Sequence, residues 1–259
     1  MKNHLRLLIE YVKISLASAM EYKTSFITQT ITMAINDTVW IIFWIIFFNK
    51  FNQVNGWTVQ DMFMLYAVVT FSYGLAGVFF GNRNKIAEVI AEGKLDFYLS
   101  LPKNELFHVL ISRSSWFSMG DIVFGLIMGI ISFSWWQWPL FFVLSLMSMS
   151  IIISFGTLAG SLAFFMGNAE ESSRNLYMGL ISFSTYPLAV FHGAARIILL
   201  TIIPAGFVSG IPVELLKNFN WKWFILSFIF SLVFLTISII VFKIGLRKYE
   251  SGNNMNVRV

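Results

Sequence analysis

The sequence contains no cysteine. Disulfides, thiolate metal centres and cysteine nucleophiles are therefore excluded, and the redox compartment stays open. Charge is also scarce: 18 Lys and Arg with 13 Asp and Glu make up only 12% of 259 residues. A soluble domain carries about a quarter charged residues, so these are too few to solvate a globule of this size. His4, His108 and His192 are scattered, and neither H-E-x-x-H nor G-x-S-x-G occurs. A metalloprotease or a serine hydrolase would lack its residues, and no metal site is visible. A phosphate-binding G-x-x-x-x-G-K-[ST] is also missing, because Gly93-Lys94 is followed by Leu95 and has no upstream Gly. The chain cannot cradle ATP phosphates by itself.

What is present is apolar. Hydrophobic residues make up 57% of the chain, with 28 Phe, 9 Trp and 8 Tyr, and mean hydropathy is +0.74. This composition argues against a soluble enzyme, a disordered protein and a nucleic-acid binder. The net charge of +5 is read for membrane orientation instead. A helical span needs about 20 mostly apolar residues. Phe26–Phe48, Met62–Asn82, Asn175–Ala195 and Trp223–Phe242 meet that need. The uncharged run Ile122–Ala169 is too long for one helix and is divided at Trp135-Trp136-Gln137-Trp138-Pro139. Pro suits the first turn of a new helix, and Trp suits the headgroup boundary. The division gives one helix at about Leu106–Phe133, with Arg113 and Asp121 near its start, and another at about Pro139–Met166. The expected fold is an all-α polytopic membrane protein with six transmembrane helices, forming one domain over residues 1–259. The first apolar run is too long for a cleaved signal segment and is expected to be retained.

With the N-terminus inside, fourteen Lys and Arg fall on inner segments, Lys2, Lys103, Arg113 and Arg258 among them. Only Lys50, Arg196, Lys217 and Lys222 fall outside. The positive-inside rule then makes both termini cytoplasmic. Trp57, Trp135, Trp136, Trp138, Trp221 and Trp223 form an outer aromatic belt. Residues 1–25 align Leu5, Leu8, Ile9, Val12 and Leu16 on one face, with Arg6, Glu10 and Lys13 on the other. This is the pattern of an amphipathic interfacial helix. Residues 245–259 form a cytoplasmic tail.

The segment 82–105 is the most informative polar stretch. Ile86, Val89 and Ile90 share a helical face, while Lys85, Glu88 and Glu92 point away. Gly93 supplies a left-handed cap and Pro102 stops any continuous helix. The prediction is a short helix and a sharp turn, followed by Leu95, Phe97, Leu99 and Leu101. A connector between two spans can be much shorter than this. The pattern Glu88-(x)4-Gly93-Lys94-Leu95-Asp96-Phe97-Tyr98-Leu99-Ser100-Leu101-Pro102 resembles the first cytoplasmic loop of bacterial type-2 ATP-binding-cassette permeases. Tyr186-Pro187 and Ile203-Pro204-Ala205-Gly206-Phe207 fit the second half of that family.

The resemblance implies a transmembrane export subunit in the bacterial cytoplasmic membrane. It would bind no cofactor itself, with ATP and Mg on a separately encoded cytoplasmic ATPase dimer. A second permease, identical or homologous, and membrane lipid complete the implied partners, and nucleic acid is not among them. The family's coupling element carries over to Glu88, Glu92, Gly93, Leu95, Asp96 and Pro102. The shorter inner loop, Gly167–Asn175 with Glu170, Glu171 and Arg174, is either a further contact or a solvated turn.

Charge in the bilayer centre costs about 2.5–3.5 kcal/mol on insertion scales and needs a reason. Asn36 and Asp37 lie mid-span, and either line a translocation path or bond between helices. Asp121, two turns from Arg113 and so on the same face, has the same two readings. His192 and Arg196 follow Tyr186-Pro187 in a segment, 193–221, expected to form short re-entrant helices and an outer loop, as an outer gate or a structural plug. Asn36, Asp37, Asp121, Tyr186, His192 and Arg196 are thus the path candidates. An autonomous proton-coupled transporter using Asp37 and Asp121 is the alternative, and a scaffold with no transport role is a third. Gly74, Gly77, Gly125, Gly129, Gly156 and Gly160 recur at spacings of three or four and point to close helix contact.

Overall fold

The computed structural model describes residues 2–102, 104–167 and 169–249, the side chains of residues 2 and 3 excepted. Lys103, Arg258 and the tail beyond residue 249 lie outside them. The described residues form helices and no strand; an isolated bridge joins Val54 and Trp57. α1 is Lys2–Glu21 and α2 is Lys23–Phe51, nearly continuous with it. α3 (Val59–Phe79) returns to the termini face. There α4 (Ile86–Ala91), α5 (Leu95–Leu99) and α6 (Glu105–Ile111) follow. α7 (Met119–Ser132) crosses to the opposite face, and α8 (Trp138–Ser161) and α9 (Ala169–Ser184) run back and forth. α10 (Gly193–Thr201) and α11 (Ile211–Lys217) lie at the opposite face, joined through a π-turn at Gly206–Gly210, before α12 (Trp221–Leu246).

Among the described residues, four helices are long and apolar enough to cross a membrane: Lys23–Phe51, Val59–Phe79, Trp135–Phe164 and Trp221–Leu246. The count reaches six if each of two bent pairs is one span. Four expected spans thus stand, each with shifted ends. The helix expected at Leu106–Phe133 does not form as one piece. α6 and the helix beginning at Trp116 meet at 69° across Ser112-Arg113-Ser114-Ser115. Serine side chains compete for backbone bonds, and here α3 takes over part of the pairing. Ser115 N–H donates to the Gly77 carbonyl at 2.9 Å, and Gly81 N–H donates to the Arg113 carbonyl at 2.9 Å. Arg113 therefore does not share a helical face with Asp121.

The helix expected at Asn175–Ala195 is α9, shifted toward the N-terminus and only 16 residues long. Glu170 and Glu171 in its first turn favour the helix dipole, and Pro187 prevents its continuation. The re-entrant expectation for 193–221 meets the second bent pair, Gly193–Thr201 with Gly206–Lys217, at 76°.

α3 is the central post. Leu65, Ala67 and Val68 are fully buried on it, and it packs along α7 and α8. Small residues set these distances, as the glycine spacing predicts. A Cβ on Gly125 would lie 2.8 Å from the Phe71 nitrogen, and one on Gly74 would lie 2.9 Å from the Ser118 carbonyl. Gly129 differs, since the nearest atoms to a Cβ there belong to the Phe133 and Trp138 rings, not to backbone. α2 and α12 stand at the periphery and expose apolar rows such as Ile31, Ile35, Val39, Ile42 and Ile46. Such rows suit lipid, not water.

At the opposite face, Asp61 accepts from the Thr58 N–H (2.8 Å) and pairs with Lys217 (3.2 Å), joining α3 to α11. Gln137 donates to the Leu216 carbonyl at 2.7 Å, and Ser148 donates to the Val208 carbonyl at 2.9 Å. The expected belt tryptophans gather at this face, with Trp135 86% exposed; Trp57 instead is buried, with Lys217 5.5 Å from its ring centroid.

On α8, a Cβ at Gly156 would lie 2.5 Å from the Arg83 carbonyl oxygen, and one at Gly160 would lie 2.5 Å from Ile86 Cβ. Gly156→Val should therefore destabilise the fold by about 1–3 kcal/mol through overpacking against backbone. Thermal unfolding of the detergent-purified protein measures it; an unchanged midpoint would refute the close approach.

Candidate functional site

A cavity of about 460 Å³ opens between α2, α3, α7 and α9. Four of the six path candidates, Asn36, Asp37, Asp121 and Tyr186, line it. Asp37 is 8% exposed and Asp121 7%, so both carboxyls sit inside the bundle. Asp37 Oδ2 is buried without a hydrogen-bond partner. Neither carboxyl has a basic group within ion-pair distance among the described residues. Unpaired carboxyls inside a membrane bundle are costly and face a function or a water path. Asn36 is exposed, on the open side of the same cavity.

The residue the sequence does not announce is Arg83. It is 8% exposed, lines the cavity, and its Nε donates to the Tyr177 hydroxyl at 2.6 Å. The guanidinium lies 5.6 Å from the Tyr177 ring centroid, a cation–π distance, and Nη1 donates weakly to the Phe80 carbonyl at 3.4 Å. Tyr73 meets Tyr177 edge-to-face at 6.4 Å, and Trp44 meets Tyr186 in the same way at 5.8 Å. Two acids, one guanidinium and a ring-lined wall thus share one space. That lining can hold a solute with both polar and aromatic or alkyl parts.

His192 and Arg196 are not brought to this cavity. Arg196 lines a separate cavity of about 350 Å³ at the opposite face, with Trp57, Glu214 and Trp223. His192 is exposed just before α10.

The polar segment at the termini face forms as its pattern predicts. Ile86, Val89 and Ile90 are buried, Glu92 is exposed, and Gly93 adopts φ +70°. α5 then adds a second short helix that the pattern did not foretell. Leu95 is fully buried and anchors the turn from inside, while Phe97 is 63% exposed. Pro102 is exposed and Asp96 lies on the outer side. Tyr249, beyond α12, stands beside Asp96: burial, and then this carboxylate, push its phenol up to about 12. Its ring also meets Phe164 edge-to-face at 6.2 Å, tying the elbow to the ends of α8 and α12. Glu88 shares a shallow cleft with Glu170, Glu171 and Arg174 of α9. Among the described residues, no group of three or more His, Cys, Asp or Glu could hold a metal ion.

This geometry defines a multi-pass helical membrane protein with an internal polar cavity and a compact elbow at one face. A family model described as ABC-2 family transporter protein matches residues 34–253, and the chain belongs to that family. No curated protein and no solved structure matches it.

Tyr177→Phe removes the one hydroxyl that meets Arg83 Nε and should cost about 1.5–3 kcal/mol, as for a bond to a buried charge. A chemical-unfolding series in detergent checks this, and a wild-type midpoint would remove Arg83–Tyr177 as a structural tie.

Proposed function

We propose that the chain is the permease subunit of an ATP-driven exporter, and that the Asp37–Asp121–Arg83 cavity is part of its translocation path. Family membership supports the transport class. The observation that carries the finer reading is the gathering of four path candidates and a buried guanidinium in one cavity. The chain works with a separate cytoplasmic ATPase dimer and a second permease, identical or homologous. The Lys and Arg distribution supports cytoplasmic termini, and with them an α4–α5 elbow on the cytoplasmic side of a bacterial inner membrane.

In this reading ATP binding closes the ATPase dimer against the elbow, with Glu88, Glu92 and Asp96 as the polar contact. Gly93 and Leu95 keep the elbow's shape, and Pro102 ends it. The push reaches α8 through the Ile86–Gly160 contact, and α12 through Tyr249. It reaches the cavity along the short link from α4 back to Arg83. Hydrolysis belongs to the partner, and this chain supplies path and contact surface. An autonomous proton-coupled transporter is the second reading, and the unpartnered Asp37 Oδ2 favours it.

Glu92→Lys, alone and with Asp96→Lys, should reduce stimulation of the partner ATPase by at least about fivefold, the scale of lost rim-charge steering, while membrane insertion is unchanged. The single variant is needed because Asp96→Lys also disturbs Tyr249. Normal stimulation in both variants rules the elbow out as the coupling element. Asp37→Asn should abolish export while ATPase co-purification persists. Solute movement in vesicles holding this chain alone, without nucleotide, would establish the second reading instead.

A further inference from the structure

A second polar space adjoins the central cavity and has a different character. It measures about 560 Å³ and opens at the termini face, between the α1–α2 junction and the break that follows α6. Lys85 and Arg113 line it, and no Asp or Glu does. Lys85 Nζ lies 3.9 Å from the Glu88 carboxylate, a loose and half-exposed pair, and Glu88 is outside the lining. Arg113 has no ion pair among the described residues.

Two neutral polar groups on the same wall are unsatisfied. Ser114 Oγ and Trp116 Nε1 are buried atoms with no hydrogen-bond partner. Trp116 also opens the helix that runs on through α7, so its free N–H groups add positive potential at that end. The two basic groups, the indole N–H and the helix start favour an anion, and the Ser114 hydroxyl is free to donate to one.

The depth of the space selects the kind of anion. It lies where α3 ends and the α7 segment begins, under the turn between the amphipathic α1 and the span α2. This is the level of headgroups if α2 and α3 cross the bilayer. Phe26 and Phe117 line it beside the basic groups, and Phe117 is partly exposed. A free inorganic anion has no use for such a wall, whereas an acyl-bearing one does. We propose that this space seats the phosphate of an anionic membrane lipid. Lys85 and Arg113 hold its charge, and Ser114 and Trp116 donate to its oxygens. Asn84, Ser115 and Phe117 line both spaces, so a lipid held here borders the Asp37–Asp121 cavity directly. The proposal does not rest on the exporter reading.

Native mass spectrometry of the full chain, released from detergent with phosphatidylglycerol or phosphatidylcholine, tests it. Wild type should retain one phosphatidylglycerol in preference to phosphatidylcholine. Lys85→Gln with Arg113→Gln should weaken that adduct by about tenfold or more, the scale of two basic side chains at a membrane surface. Ser114→Ala keeps both charges and should weaken it about threefold, as one lost hydrogen bond does; it carries the test if the double variant does not fold. Lys222→Gln, at the opposite face, should change nothing. Equal retention of the two lipids by wild type, or wild-type retention in Ser114→Ala, would overturn the proposal. Displacement of phosphatidylglycerol by an equal concentration of inorganic phosphate would identify a free-anion site and overturn it as well.

Discussion

A guanidinium buried in a helical bundle must be solvated by protein, and the arrangement around Arg83 follows from that constraint. Its backbone carbonyl sits against α8 where Gly156 has no side chain. Its Nε reaches α9 through the Tyr177 hydroxyl, and its charge rests near the Tyr177 ring. Arg83 stands between the end of α3 and the start of α4. One residue therefore joins the central post, two neighbouring helices, the cavity and the elbow. A charge without a carboxylate partner, near two carboxyls without a basic partner, leaves the cavity electrostatically unfinished. That condition is expensive in a membrane and is retained where a solute or water completes it.

The helix ends show why some of this was legible and some was not. Long apolar runs announce α2, α3, α8 and α12, because charge along a span is costly in lipid. The elbow was legible from a short-range pattern, with Ile86, Val89 and Ile90 inward and Gly93 at positive φ. Asp37 stood out as a charge in the middle of an apolar helix. The break at Ser112–Ser115 was hidden because its cause is a pairing with α3, more than thirty residues earlier in the chain. The serine run was the one local signal for it. Arg83 was hidden for the same reason: Tyr177 is 94 positions away, and in the sequence Arg83 reads only as one more basic residue in an inner loop. Pairings of that span are not encoded in any local period.

Both faces of the bundle are held by bonds between segments distant in the chain. At the opposite face, Asp61 with Lys217, Gln137 with the Leu216 carbonyl, and Ser148 with the Val208 carbonyl are directional ties between distant segments. At the termini face, Arg83 with the Tyr177 hydroxyl, Asn82 with the Val109 carbonyl and Ser115 with the Gly77 carbonyl are ties of the same kind, joined by contacts of shape: Gly160 against Ile86, Phe164 against Tyr249, Leu95 beneath its turn. The elbow, the space lined by Lys85 and Arg113, and the near end of the cavity all lie on this second face.

α2 carries Asp37 yet has little of its surface covered, with 22% of its apolar stretch buried. The acid is thus mounted on a helix of 29 residues that leans on the bundle along one narrow edge, at Asp37, Ile41, Trp44 and Phe48, and leaves its outer flank bare. A neighbour resting on that outer flank would press on the helix that carries Asp37, so the room opposite Asp121 is open to influence from outside the polypeptide that lines it.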